Sequence, residues 1–189
     1  MKLTERSVHE LLAAFRSSEP TPGGGSASAL SGAIGASLLA MVAGLPKPIA
    51  ATPQEVATLK SAGDKCADLA VRLEALIDRD SRAYDDVIAA YRLPKATDEE
   101  KAARSKAIQA SLRAATESPL AVMRACAGAI AEAAAISRLG NSNASSDVAV
   151  GLELLRAARR GAQLNVEINL PSLKDARYVE DVRREIERL

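Results

Sequence analysis

The sequence predicts an all-α fold: a helical bundle with one long central helix and one buried helix rich in small residues. Three observations predict it. Helix-start signals recur along the chain, whereas alternating strand patterns are scarce. About a fifth of the residues are alanine, the strongest helix former. The 189 residues, 48% hydrophobic and 26% charged, suit one soluble domain, residues 1–189, able to bury a core of its own.

Each element has a local cause. Ser7-Val-His-Glu10 is a capping box that opens a first helix running to about Ser17, and Glu19 to Gly25 then form a proline and glycine loop. The loop feeds a helix from about Ser26 to Leu45, ended by Pro46 and Pro48. Its small residues, among them Ser28, Gly32, Gly35 and Ala36, let neighbouring backbones approach closely. Thr52-Pro-Gln-Glu55 caps a third helix that meets no stop until Pro94, a length of about 60 Å at 1.5 Å per residue. Thr97-Asp-Glu-Glu100 caps a fourth helix to about Glu117. Ser118-Pro119 restarts or kinks it into a fifth, alanine-rich helix ending at Gly140. Ser145 or Ser146 caps a sixth helix to about Asn169, and Val179, Val182, Ile186 and Leu189 mark one face of a charged last helix.

Composition excludes several functions. One Phe, three Tyr, no Trp and 25 basic against 24 acidic residues leave little to stack on bases or draw a phosphate backbone, so no nucleic acid partner is expected. Cys66, Cys126 and the single His9 have neither the number nor the spacing of a metal site, and all three read as structural. Thr21 to Pro46 carries no charge and is long enough to cross a bilayer. Its Gly, Ser and Ala content gains little from lipid, so the segment reads as a protein interior and no membrane partner is expected. The first residues, MKLTERSVHELL, lack the apolar core of a signal peptide, and a cytoplasmic location is the expectation.

The pattern breaks at two places. In the long helix Val56, Leu59, Gly63, Cys66, Ala70, Leu73, Ile77, Asp80, Tyr84, Val87 and Tyr91 follow alternating steps of three and four, a heptad seam. Asp80 therefore sits where burial is predicted, with Tyr84 one turn on. A carboxylate there is either tuned for acid/base work or paired with Arg72, Arg79, Arg82 or an arginine of another helix. In the sixth helix Val148, Gly151, Leu155, Ala158 and Ala162 share a stripe that ends in Asn165 and Asn169, whose amides either grip a ligand or tie helix ends together. Asn141, Asn143, Ser145, Ser146 and Asp147 crowd polar groups at its start. Thr21-Pro-Gly-Gly-Gly-Ser26 has the composition of a phosphate cradle without its context, since no strand precedes it and no Gly-Lys-Ser/Thr completes it. The long seam is more than a chain this size can cover, which hints that a second copy shares it.

Taken together, PTPGGGSASALSGAIGASLLAMVAGL, DRDSRAYDDVIAAYRLPKATDEEK and GNSNASSDVAVGLELLRAARRGAQLNVEINLPSL resemble the cyclodeaminase/cyclohydrolase family of one-carbon folate enzymes over most of the chain. The resemblance implies an all-helical homodimer, a tetrahydrofolate derivative as substrate, and no metal or redox cofactor. Two reactions follow from it: hydrolysis of 5,10-methenyltetrahydrofolate to 10-formyltetrahydrofolate, or release of ammonia from 5-formiminotetrahydrofolate. A homologue that binds a folate without turnover is the third reading. The positions that match are Pro22, Gly23, Gly24, Gly25, Ser26, Asp80, Tyr84, Leu93-Pro94-Lys95, Asn143, Asp147, Asn165 and Asn169. By that resemblance Asp80 or Asp147 activates water, Tyr84 or Lys95 assists proton transfer, and Asn143, Asn165, Asn169 and the Pro22–Ser26 loop hold the substrate. Family members often follow the small-residue helix with a lysine-rich stretch ending in tyrosine; here the chain has only Gly44-Leu-Pro-Lys-Pro-Ile-Ala50.

Overall fold

A computed structural model describes residues 2–46 and 52–189, and among them there is no strand. Most of the segment that departs from the family pattern, residues 47–51, lies outside the described residues. Six α-helices follow in order: α1 (Val8–Phe15), α2 (Gly24–Gly44), α3 (Pro53–Tyr91), α4 (Asp98–Leu139), α5 (Ser145–Asn169) and α6 (Ala176–Arg188). Ser7, Thr52 and Thr97 each close a capping box with the glutamate three residues on, at the predicted starts of α1, α3 and α4.

Helices α2, α3, α4 and α5 form a four-helix bundle, in which α2 packs on α3 and α5, and α4 closes the ring against the same two. Small residues set the spacing. A Cβ on Gly35 would lie 2.7 Å from the carbonyl oxygen of Gly151, and one on Gly151 would lie 3.0 Å from that of Gly35, so α2 and α5 touch backbone to backbone. The core contains Leu39, Leu73, Leu120, Met123, Ile136 and Leu155. Beyond it, Ala90, Ile108 and Leu112 make a smaller cluster where α3 and α4 continue as a pair. Helix α6 lies along α4, where Arg124 bonds Glu185 and Glu117, and the Tyr178 hydroxyl donates to Glu117 at 2.7 Å.

Three expectations are corrected. The fourth and fifth predicted helices are one 42-residue helix with Pro119 inside it. Proline removes the N–H that would serve the carbonyl of Ala115. The Asn169 amide of α5 donates to that carbonyl at 3.1 Å, so the helix runs through without an orphaned acceptor. Neither Ser145 nor Ser146 caps α5; Ala144 stands at the N-cap after a 3₁₀ turn, Ser142–Ala144, whose own cap is Asn141. The heptad seam of α3 is not open to a second copy over its middle. Leu59, Gly63, Cys66, Leu73 and Ile77 are buried inside the subunit, while Val56, Tyr84 and Tyr91 at its ends are exposed.

Candidate functional site

The first turn of α2 begins without a side-chain cap, because its N-cap is Gly23. Asp80 of α3 supplies the missing acceptor from across the bundle: its Oδ2 takes the backbone N–H of Ser26 at 2.9 Å and the Ser26 hydroxyl at 3.4 Å. The same hydroxyl donates to the Ile77 carbonyl at 2.8 Å and lies 3.1 Å from the Ser81 hydroxyl. The Asp80 Oδ1 accepts no hydrogen bond among the described residues, and Asp80 makes no ion pair there, so the expected alternative of an arginine partner is not what the fold provides. Burial pushes the Asp80 carboxyl above the ordinary aspartate range, and the two bonds from Ser26 offset part of that rise.

The glycines exist to admit these groups. A Cβ on Gly25 would stand 2.1 Å from Asp80 Oδ1, and one on Gly24 would stand 3.2 Å from the Asn165 amide nitrogen. Asp80, Gly24, Gly25, Ser26 and Asn165 therefore meet at one end of the bundle. Asn165 bonds the Gly161 carbonyl of its own helix at 2.8 Å. Tyr84 is one turn beyond Asp80, about 6 Å along α3, and 40% exposed. Asn169 is one turn beyond Asn165, with its amide nitrogen held by Ala115, so of the two predicted uses its observed bond is the tie between helices.

Other predicted residues lie elsewhere. Lys95 follows the end of α3 at Tyr91, about 16 Å along the helix from Asp80. Asn143 and Asp147 sit at the opposite end of α5 from Asn165, and 18 residues of helix separate Asp147 from Asn165 by about 27 Å. One protomer does not bring them to Asp80.

Two features escaped the sequence reading. Asp78 is 9% exposed and accepts the Leu3 N–H at 2.6 Å and the Thr4 hydroxyl at 2.9 Å, pinning the N-terminal turn to α3. No pattern signalled it, because 78 is off the seam and its cover comes from 75 residues earlier. That turn builds a cleft of about 380 Å³ beside the site, lined by Lys2, Arg6, Thr21, Pro22, Ser81 and Arg82 among others. Arg6 and Arg82 make no ion pair among the described residues, and the cleft mixes them and Lys2 with the acidic Asp78 and Asp85. Among these residues no three His, Cys, Asp or Glu side chains gather as a metal site would need.

An all-helical subunit with a half-buried carboxylate, a carboxamide and a glycine turn at one end of its bundle defines a class of small-molecule site, and the comparisons with known proteins narrow it. Residues 7–188 match the formiminotransferase-cyclodeaminase family model, and the chain belongs to that family. It is 41% identical over 183 residues to a methenyltetrahydrofolate cyclohydrolase of Methylorubrum extorquens, covering 97% of this chain and 88% of that one. It is 31% identical over 168 residues to the formimidoyltransferase-cyclodeaminase of Gallus gallus, of which it spans 31%. Its fold superposes with a TM-score of 0.86 on the crystal structure of a formiminotetrahydrofolate cyclodeaminase from Thermotoga maritima, at 24% identity over 99% of this chain and 89% of that one.

Proposed function

We propose that this chain hydrolyses 5,10-methenyltetrahydrofolate to 10-formyltetrahydrofolate and works as a homodimer in the cytoplasm. A relative 41% identical to it, matched over 97% of this chain and 88% of its own, is a methenyltetrahydrofolate cyclohydrolase. The observation in the site that carries the reading is the split duty of Asp80: one oxygen anchored on the first turn of α2, the other free beside a glycine face.

The reaction needs a base for water and a proton for a ring nitrogen. Water adds to the cationic carbon between nitrogens 5 and 10 as Asp80 Oδ1 takes its proton. The bond from that carbon to nitrogen 5 then breaks, nitrogen 5 receives a proton, and the formyl group stays on nitrogen 10, with one proton released overall. An ionised Asp80 also stabilises the substrate cation. In this scheme Tyr84 relays the proton, Asn165 and the Gly24–Ser26 backbone hold the heterocycle, and Arg6 and Arg82 meet the glutamate carboxylates. No step in this scheme uses a metal or redox cofactor. Each positioned acid or base contributes about 10²- to 10⁴-fold.

The test is loss of methenyltetrahydrofolate absorbance, corrected for spontaneous hydrolysis, with wild type beside Asp80→Asn. Acceleration by the wild type that the substitution removes supports the proposal; equal rates refute the role of Asp80. A second reading, ammonia release from 5-formiminotetrahydrofolate, is favoured by the match to the animal bifunctional enzymes, and ammonia from that substrate in place of methenyl hydrolysis decides for it. Binding of either folate without turnover leaves a ligand-binding homologue.

A further inference from the structure

Two aspartates of α3, Asp78 and Asp80, each hold a first turn that belongs to another part of the chain. Asp80 holds the start of α2. Asp78 holds the 3₁₀ turn Leu3–Glu5, taking the Leu3 N–H on Oδ1 at 2.6 Å and the Thr4 hydroxyl on Oδ2 at 2.9 Å. The Leu3 N–H opens the turn and has no carbonyl of that turn to meet, so the carboxylate serves as its cap. Beside it the Leu3 side chain, 7% exposed, joins the main core. A buried carboxylate must have its charge met by donors, and every donor that the described residues give Asp78 comes from this one turn, 74 or 75 positions earlier.

What the turn places is Arg6, whose backbone N–H closes it on the Leu3 carbonyl at 3.2 Å. The Arg6 Nε is buried and has no hydrogen-bond partner among the described residues. A buried donor without a partner is destabilising, so packing alone gives no reason for an arginine here. Arg6 and Lys2 form one wall of the cleft of about 380 Å³, and Thr21 and Pro22, which lead into Gly23 and α2, also line it. Ser81 joins the cleft to Asp80: it lines the cleft, and its hydroxyl lies 3.1 Å from the Ser26 hydroxyl that Asp80 Oδ2 accepts. Lys2 is paired with Glu5, and both Asp78 oxygens are engaged by the turn. Arg6, Arg82 and Asp85 remain without ion pairs among the described residues, a balance that favours an anion. Residues 2–6 precede the stretch that matches the family model, residues 7–188, so this wall is not something the family match supplies.

From these contacts we propose that Asp78 is a positioning residue for substrate binding. Through the Leu3–Glu5 turn it sets the Arg6 guanidinium in the wall of the cleft, and that wall receives the carboxylate-bearing end of the substrate. Asp78 itself touches neither the substrate nor the reacting atoms. Residues two apart on a helix do not share a face, so Asp78 can hold the turn on one side of α3 while Asp80 serves the chemistry on another. The inference rests on the proposed folate reading for the identity of the ligand; the placing of Arg6 by Asp78 does not depend on it.

The test is a double-mutant cycle of Asp78→Asn with Arg6→Ala, read in KM and kcat for methenyltetrahydrofolate and in exchange of the Leu3 amide by NMR. Asp78→Asn should release the turn, so that the Leu3 amide exchanges at least about tenfold faster. Each single substitution should raise KM about tenfold with kcat within about twofold, the sign of lost binding rather than lost chemistry. The double variant should also stand at about tenfold and not about a hundredfold, because Asp78 acts through Arg6. Thr4→Val removes one of the two bonds and leaves the carboxylate, and should raise KM about threefold; if Asp78→Asn does not fold, the cycle is run with Thr4→Val. Multiplied effects in the double variant, a fall in kcat in place of the rise in KM, or an unchanged KM once the Leu3 amide is released overturns the positioning role. A wild type with no folate turnover defeats the proposed reaction, and the same cycle is then read in Kd for folic acid, which carries the same glutamate. Non-additive losses there uphold the role of Asp78, and additive losses or no binding by the wild type overturn it.

Discussion

Gly25→Ala tests whether the first turn of α2 is built around Asp80. By helix propensity alone the substitution stabilises by about 1 kcal/mol. The geometry reverses the sign. The new Cβ would lie 2.1, 2.4 and 2.5 Å from Oδ1, Cγ and Oδ2 of Asp80, whereas carbon and oxygen in ordinary contact keep about 3.3 Å. The carboxylate must retreat by roughly 1 Å or rotate away, and either movement gives up its 2.9 Å bond to the Ser26 N–H. Losing that cap costs about 1–2 kcal/mol, so the net change is a loss of up to about 1 kcal/mol, or about 2–4 °C in a domain of this size. Turnover should fall about 100-fold, the effect of a 1 Å misplacement of a reacting group. Gly128→Ala is the control: its Cβ meets the end of the flexible Leu69 side chain at 3.3 Å, and the propensity gain should survive. Thermal unfolding by circular dichroism and methenyltetrahydrofolate decay read the two effects. Equal stabilisation by both substitutions, with full turnover in Gly25→Ala, would refute the account of the site.

Three further predictions follow from the same geometry. Because burial raises the Asp80 carboxyl in the folded state, the folded protein holds that proton more tightly than the unfolded chain and loses stability as pH rises from the ordinary aspartate range through the raised value. Asp80→Asn lacks this loss, so its Tm should gain on the wild type from acid to neutral pH, and wild-type turnover should decline as pH falls through the same range; a wild type that gains on the variant with rising pH contradicts the shift. Asn169→Leu removes the donor that serves Ala115 above Pro119 and should cost about 1–3 kcal/mol by denaturant titration while kcat is kept; a large fall in kcat with stability unchanged would instead make Asn169 a substrate group. Arg82→Ala should raise KM for the folate with kcat little changed, since it removes binding at the glutamate end; an unchanged KM removes Arg82 from the site.

What was legible in the sequence was what neighbours decide. The three capping boxes need only a hydroxyl and a glutamate three residues apart, and each starts a helix where it was expected. Asp80 stood out because the rest of its seam is apolar, small or aromatic, and its place in the fold answers the break: it caps a helix whose own N-cap is glycine. What was not legible depends on distant partners. Pro119 reads as a helix break until Asn169, 50 positions on, serves the carbonyl it strands. Asp78 reads as a surface residue until Leu3 and Thr4 cover it.

The same limit explains why Asn143 and Asp147 could be grouped with Asp80 in the sequence and still lie at the far end of α5. A stripe has a phase but no direction in space. Only the antiparallel contacts of α2 with α5, glycine by glycine, show that one stripe carries Asp147 at one end and neighbours Asn165 at the other. Hydropathy hides the same fact in α2. A helix without charge reads as interior on every side, so the sequence alone does not distinguish its small-residue face, which closes on Gly151, from the Ile34–Met41 face, which is left to solvent in the single subunit. The bundle satisfies the first face from within one chain. The second face stays exposed, an apolar surface on which Ile34 and Met41 are each more than two-fifths open to solvent.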